Sequence, residues 1–250
     1  DCKIEKSLAN SLGMPSLATR DNSTASGISQ ELEITRVNQL KLGEIPFQNI
    51  SAGKLEYDKS SASPCLAAHG LVGANLIRLA HWKVDFQNQM LSFSDSAFQP
   101  ERFEVQHRLP FDHEKLTGIP EVSLEIEGKA VSGLILDLGY NGGIVLPLQL
   151  AGKFPGPIEQ IILDQSTSGI FGSNPDSIIV KRLQVEIDGF NQIIPIEFSS
   201  LGKGLIGTEF LEHFQIILNY QKKEILLLPQ EEVKIPKALK FIPGIDLDGN

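Results

Sequence analysis

The stretch "SGLILDLGYNGGIVLP" (Ser132 to Pro147) sets Asp137 at the end of an apolar run and follows it with Gly139, Gly142 and Gly143. A carboxylate so placed is costly unless something hydrogen-bonds it, pairs it or uses it. Asp137 is therefore the first candidate for chemistry, and an ordinary strand-to-turn junction is the alternative. The other reactive side chains form no comparable pattern. The histidines (His69, His81, His107, His113, His213) are scattered without metal-ligand spacing and read as surface or packed residues, so no metal site is expected. No motif calls for a cofactor, and no Ser-His-Asp or Cys-His context is visible. Cys2 and Cys65 are the only cysteines. One bridge and two plain thiols both stand open, but two cysteines do not make a disulfide scaffold.

The elements that must position Asp137 follow from alternation and turns. "EVSLEIEGKAVSGLILDLG" alternates through Val122, Leu124 and Ile126 and turns at "EGK", a hairpin signal. "LQVEIDGFNQIIPIEF" (Leu183 to Phe198) turns at Asp188-Gly189, and "LKLGEIPFQNI" (Leu40 to Ile50) is its partner in an earlier copy. The copies are visible as an internal repeat. "HGLVGANLIRLAHWKVDFQNQMLSF" from His69 and "KGLIGTEFLEHFQIILNYQKKEILLL" from Lys203 share Gly-Leu-(Val/Ile)-Gly, a short helix, and two apolar strands around a polar turn. Gly73 matches Gly207 and Asp85 matches Asn219, each 134 residues apart. Upstream, "SGIS" at Ser26 matches "SGIF" at Ser168 at an offset of 142, which places extra residues of the first copy in the polar segment Ser51 to Cys65. The expected architecture is all-β: two β-rich lobes over 1–97 and 103–228, a polar linker ("SDSAFQPER", Ser94 to Arg102), few short helices, and a tail of unknown role over 229–250.

Composition narrows the partners. Hydrophobic residues are 41% of the chain, ordinary for a packed protein, and the formal net charge of -9 disfavours nucleic acid. No run reaches the roughly 18 apolar residues that a membrane span requires. The chain opens at "DCKIEKS" without a starting Met and reads as a mature or trimmed form. The tripeptides "NST" at Asn22 and "NIS" at Asn49 match the glycosylation pattern, which matters only in a eukaryotic secretory setting. "DLDGN" at the end lacks the downstream Glu of a calcium loop.

An apolar strand ending Asp-x-Gly, a hairpin before it, and an apolar-apolar-Gly triplet about 70 residues later resemble the aspartic peptidases, in particular their bacterial retropepsin-like branch with two units in one chain. "GLVGANLIR", "GLIGTEFLE" and "LILDLG" carry the resemblance, which covers most of residues 1 to 228. It implies two pseudo-symmetric β-barrel lobes in an acid-protease fold, a cleft that takes an extended peptide or protein substrate, and no cofactor. It implies a monomer whose lobes satisfy each other, and it is compatible with a bacterial periplasm or envelope. Two carboxylates would share one proton and activate a water, with Asp137 as one member and Gly139 as the glycine that lets backbone approach it. Ser26, Gly27 and Ile28, and Ser168, Gly169 and Ile170, fall where the family places flaps that bind substrate backbone.

The chain departs from the family in two places. Leu138 stands where the family has Thr or Ser, whose hydroxyl bonds across the lobe interface, and Tyr140 replaces a small residue. The 142 offset also puts the partner of Asp137 about six residues before Asp1, so the first lobe's catalytic strand is expected in a preceding portion. Pairing of Asp137 across a homodimer, and a peptidase fold without catalysis, are the two alternatives.

Overall fold

The computed structural model describes residues 1–24, 27–57, 67–100, 106–169 and 171–230. Cys65, Ser26, Ile170 and the tail beyond Gln230 lie outside the described residues. The first half runs β1 (Cys2–Glu5), α1 (Lys6–Ser11), β2 (Ala18–Ser23), β3 (Ser29–Leu42), β4 (Ile45–Leu55), β5 (Gly70–Leu71), α2 (Ala74–Ile77), β6 (His81–Asp85) and β7 (Met90–Ser94). The second runs β8 (His107–His113), β9 (Pro120–Ile126), β10 (Lys129–Leu136), β11 (Ile144–Pro147), a 3₁₀ turn (Leu148–Lys153), β12 (Gln160–Gly169), β13 (Gly172–Ile187), β14 (Phe190–Ser199), β15 (Leu205–Ile206), α3 (Thr208–Leu211), β16 (Phe214–Asn219) and β17 (Glu224–Pro229). The protein is all-β with short helices. Among the described residues, no helix is long and apolar enough to cross a membrane.

The hairpins form where local chemistry demands them. Glu127-Gly128 and Asp188-Gly189 both adopt positive φ at the two turn positions, the combination that matches strand twist in a two-residue loop. The alternating residues of β9, Val122, Leu124 and Ile126, are all buried, while Ser123 and Glu125 between them are exposed.

Each half repeats one pairing scheme. In the second, β11 lies between β14, parallel to it, and β15, antiparallel. In the first, β1 lies between β4 and β5 with the same senses. Lys3 pairs with Leu71 as Val145 pairs with Leu205, so the register matches as well as the order. The first copy's extra length falls between β4, ending at Leu55, and β5, starting at Gly70; the second copy passes from Ser199 to Leu205.

The halves differ in closure. In the second, β9, β10, β15, β11, β14 and β13 follow one another, and β13 pairs back onto β9 to close a barrel. In the first, the described strands form an open sheet in the order β2-β3-β4-β1-β5, with no counterpart of β8, β9 and β10. Both halves share one continuous apolar core, from Phe47, Ile50 and Leu76 to Leu124, Ile196 and Phe198.

The halves join through a sheet in the order β8-β17-β16-β6-β7, where β6 pairs antiparallel with β16. Lys83 sits opposite Ile217. Those two residues are separated by the same 134 positions as Gly73 and Gly207, so a pseudo-two-fold axis passes through that pair. From the linker, Phe98 packs over Ile217, Leu226 and Leu228 on this sheet. Asp85, at the end of β6, accepts hydrogen bonds from the Asn88 backbone and side chain and from the side chains of Gln215 and Gln230, binding the two halves.

Burial opposes ionisation of Asp85, but those hydrogen bonds outweigh it and hold the carboxyl at about 2. A carboxyl depressed in the folded state stabilises it above the unfolded pKa and loses that contribution as pH falls through the folded one. We expect Asp85 to supply about 2 kcal/mol at neutral pH that disappears between about pH 4 and pH 2. Urea denaturation across that range should show a steeper acid loss for the wild type than for Asp85→Asn.

Candidate functional site

Asp137 follows directly on β10, where the backbone leaves the barrel. Its amide donates to the Ile206 carbonyl at 3.0 Å, extending the parallel pairing of β10 with β15 by one bond. The loop that follows is stitched to the start of α3. The amides of Gly207, Thr208 and Glu209 donate to the carbonyls of Gly143, Tyr140 and Gly142 at 2.9, 2.8 and 3.1 Å, and the Thr208 hydroxyl reaches the Tyr140 carbonyl at 3.1 Å. The Gly-Leu-Ile-Gly segment thus acts as a template that holds the backbone on both sides of the carboxylate.

Gly207 explains why that segment ends in glycine. A Cβ there would collide with the Gly142 carbonyl oxygen and the Tyr140 ring, and would lie 2.6 Å from the Tyr140 carbonyl oxygen. Gly73 stands in the same relation to the backbone of Asp1 and Cys2. The first half substitutes different chemistry around it: the Asn75 carboxamide accepts from the Cys2 amide at 2.7 Å, and the Cys2 sulfur accepts from the Gly73 amide at 3.2 Å. Burial pushes the Cys2 thiol up, against smaller opposing effects that include the Gly73 amide, so it serves as a packed acceptor.

The Asp137 carboxylate accepts from the Gly139 amide at 2.8 Å and is partly exposed. A Cβ on Gly139 would stand 3.2 Å from the same oxygen, a tight contact that glycine avoids. Leu138, 37% exposed, projects into an apolar groove with Val84, Phe86, Met90 and Leu91 of the first half. The segment carrying Asp137 therefore faces the opposite half. Tyr140 turns inward and donates to Glu197 at 3.3 Å. Burial, and then the carboxylates of Glu197, Glu209 and Asp176, push its phenol up, so it stays a neutral donor. Tyr140, Thr208 and Gly142 shape the loop without having been singled out as positioning groups. Their roles arise from contacts about 65 residues apart in sequence, which local pattern does not display.

Gly27 is exposed with φ +80°, a conformation suited to glycine, and Ile28 is half-buried. Ser168 and Gly169 occupy the end of β12, where they pair with Ser173 and Gly172. Next to them, Phe171 is buried against Leu32 and Leu55, with Ile28, Tyr57 and Leu71 packed around that cluster. The second hairpin thus reaches across to the first half.

No protein-family model and no curated protein sequence matches this chain. Among solved structures, the chain is similar to a retropepsin-like aspartic protease from Rickettsia conorii at 16% identity and a TM-score of 0.37, covering 49% of this chain and 98% of that one. It is similar to the EIAV protease complexed with the inhibitor HBY-793 at 12% identity and a TM-score of 0.30, covering 38% of this chain and 88% of that one.

The template role of the Gly-Leu-Ile-Gly segment is testable. Gly207→Ala should cost about 3 kcal/mol because the added methyl meets fixed backbone. Gly152→Ala, where nothing lies within 4 Å, should stay within about 0.5 kcal/mol of wild type. Both are read as shifts in a urea unfolding midpoint.

Proposed function

We propose that the protein is an aspartic endopeptidase that cleaves extended peptides between its two halves, with Asp137 as one of two carboxylates acting on a shared water. The observation that carries this reading is the Asp137 junction: a partly exposed carboxylate, oriented by the Gly139 amide, on a backbone loop clamped by Gly207 to Glu209. A catalytic carboxylate needs this kind of fixed geometry, because misplacement by an ångström can cost about 100-fold in rate. The position of Leu138 against the first half and the matched registers of the two copies add support, as does the reach of the Phe171 hairpin across the halves.

The chemistry follows from two close carboxyls. They cannot both ionise, so the pair holds one proton and titrates as a unit. The ionised member takes a proton from water as that water attacks the peptide carbonyl. The protonated member donates to the carbonyl oxygen, and a proton then passes to the departing amine as the C–N bond breaks. We assign the second carboxylate to a segment outside residues 1–250 that would stand to the first half as Asp137 stands to the second. Ser26, Gly27 and Ile28 with Ser168, Gly169 and Ile170 are assigned to the substrate's backbone, added as a strand between the hairpins.

Leu138 favours a second reading, a peptide-binding protein on the same scaffold. A leucine offers no hydroxyl to fix a dyad across the interface. The two readings separate by experiment. Incubating the full-length protein with a mixture of unstructured peptides from acidic to neutral pH should yield defined cleavage products. Asp137→Asn should lower the rate at least about 1,000-fold, and Leu138→Thr should raise it. Cleavage that survives Asp137→Asn removes Asp137 from the mechanism. Binding of the same peptides without cleavage, unaffected by Leu138→Thr, selects the binding protein.

A further inference from the structure

The turn after Asp137 contains an Asn-Gly pair, Asn141-Gly142, in which the asparagine is exposed. Hydrogen bonds pin the carbonyls around it. Tyr140 accepts from the Thr208 amide at 2.8 Å, Gly142 from the Glu209 amide at 3.1 Å, and Gly143 from the Gly207 amide at 2.9 Å. The peptide unit between Asn141 and Gly142 is the exception. Among the described residues, neither the Asn141 carbonyl nor the Gly142 amide has a hydrogen-bond partner, and the Asn141 carboxamide has none. That unit is free to rotate between fixed points. Packing imposes the glycine at 142: a Cβ there would lie 2.6 and 2.8 Å from Cζ and Cε1 of Tyr140. The ring is itself held, since its hydroxyl donates to Glu197 and it packs with Val145, Leu201 and Leu205.

We propose that Asn141 is a site of self-modification: it cyclises with Gly142 and converts to isoaspartate, which undoes the clamp on the loop beside Asp137. The Gly142 amide nitrogen gives up its proton to a solvent base and attacks Asn141 Cγ. The N–Cγ bond forms, the Cγ–Nδ2 bond breaks, and ammonia leaves with a proton returned from solvent. A hydrogen in place of a side chain at 142 leaves that nitrogen open to the approach. Water then opens the succinimide ring. Attack at Cγ breaks the new bond and leaves aspartate. Attack at the Asn141 main-chain carbonyl breaks the original peptide bond and leaves isoaspartate, with the chain running through Cβ and Cγ. Water enters and ammonia departs, with no change of oxidation state. The isoaspartyl backbone is one atom longer between the Tyr140 and Gly142 carbonyls, which are bonded to the adjacent amides of Thr208 and Glu209. Both bonds cannot keep their geometry across the longer path. Either product also adds a carboxylate to a turn where a Cβ on Gly143 would stand 4.0 Å from the Glu209 carboxylate. No step depends on Asp137 or on peptide cleavage, so this inference and the peptidase reading can fail separately.

The test incubates the full chain in warm, mildly alkaline buffer beside a synthetic peptide of residues Gly139 to Leu146. Peptide mapping by mass spectrometry should find amide-to-acid conversion at Asn141 at a rate within about tenfold of the free peptide, with isoaspartate the larger product. Hydrogen exchange on the separated isoaspartyl form should run at least about tenfold faster at the Thr208 and Glu209 amides than in fresh protein, and unchanged at Leu124 and Ile126 of β9. Fresh Asn141→Asp adds the charge without the extra backbone atom and should shift those two amides far less. Asn141→Gln, whose longer side chain closes a larger ring slowly, should stay intact over the same period. An Asn141 that survives while the free peptide converts overturns the proposal. So does an isoaspartyl form whose Thr208 and Glu209 amides stay protected. Equal loss of protection in fresh Asn141→Asp assigns the effect to charge and overturns the backbone mechanism. Conversion of Asn141→Gln at the wild-type rate places the reaction outside the Asn-Gly pair and overturns it too.

Discussion

The antiparallel pairing of β6 with β16 is the contact on which the rest of the molecule depends. It brings together two copies of the same short strand and fixes their relation by backbone hydrogen bonds. Because Lys83 faces Ile217, its own counterpart, the pairing is self-complementary in the manner of a two-fold dimer interface. Asp85 reinforces it with bonds to Gln215 and Gln230. A slip of one residue would reverse the faces of the strand and take Trp82 out of the shared core. The groove beside Leu138 lies between the halves and so exists only while this register holds.

A second constraint acts within each half. The Gly-Leu-(Val/Ile)-Gly segment forms a strand too short to stand alone and then turns at once into a one-turn helix. It gains its stability from what it supports: the backbone of residues 137 to 143 in the second half, and of Asp1 to Lys3 in the first. The close approach at Gly207 and Gly73 leaves no room for a side chain, which makes glycine a packing requirement at both positions.

The two halves are equivalent in path but not in environment. The second is a closed barrel, with β13 pairing back onto β9. The first is an open sheet with exposed apolar residues at positions its twin buries. The bonding around the template differs too, with Asn75 and Cys2 taking part in the first half and Thr208 and Tyr140 in the second. Leu138 lines an apolar groove together with Phe86, Met90 and Leu91 of the first half.

Much of the architecture was legible in the chain alone, because the signals are local. Alternation in Val122, Leu124 and Ile126, the turns at Glu127-Gly128 and Asp188-Gly189, and the twin glycines at 73 and 207 each act within a few residues and leave a pattern there. The carboxylate at the end of an apolar run was visible for the same reason. Only the tertiary structure decided the pairing of Lys83 with Ile217, the clamp from Thr208 onto Tyr140, the reach of Phe171 into the first half, and the closure of one barrel beside an open sheet. These depend on which surfaces meet across long separations, and side-chain packing settles that after the local elements have formed.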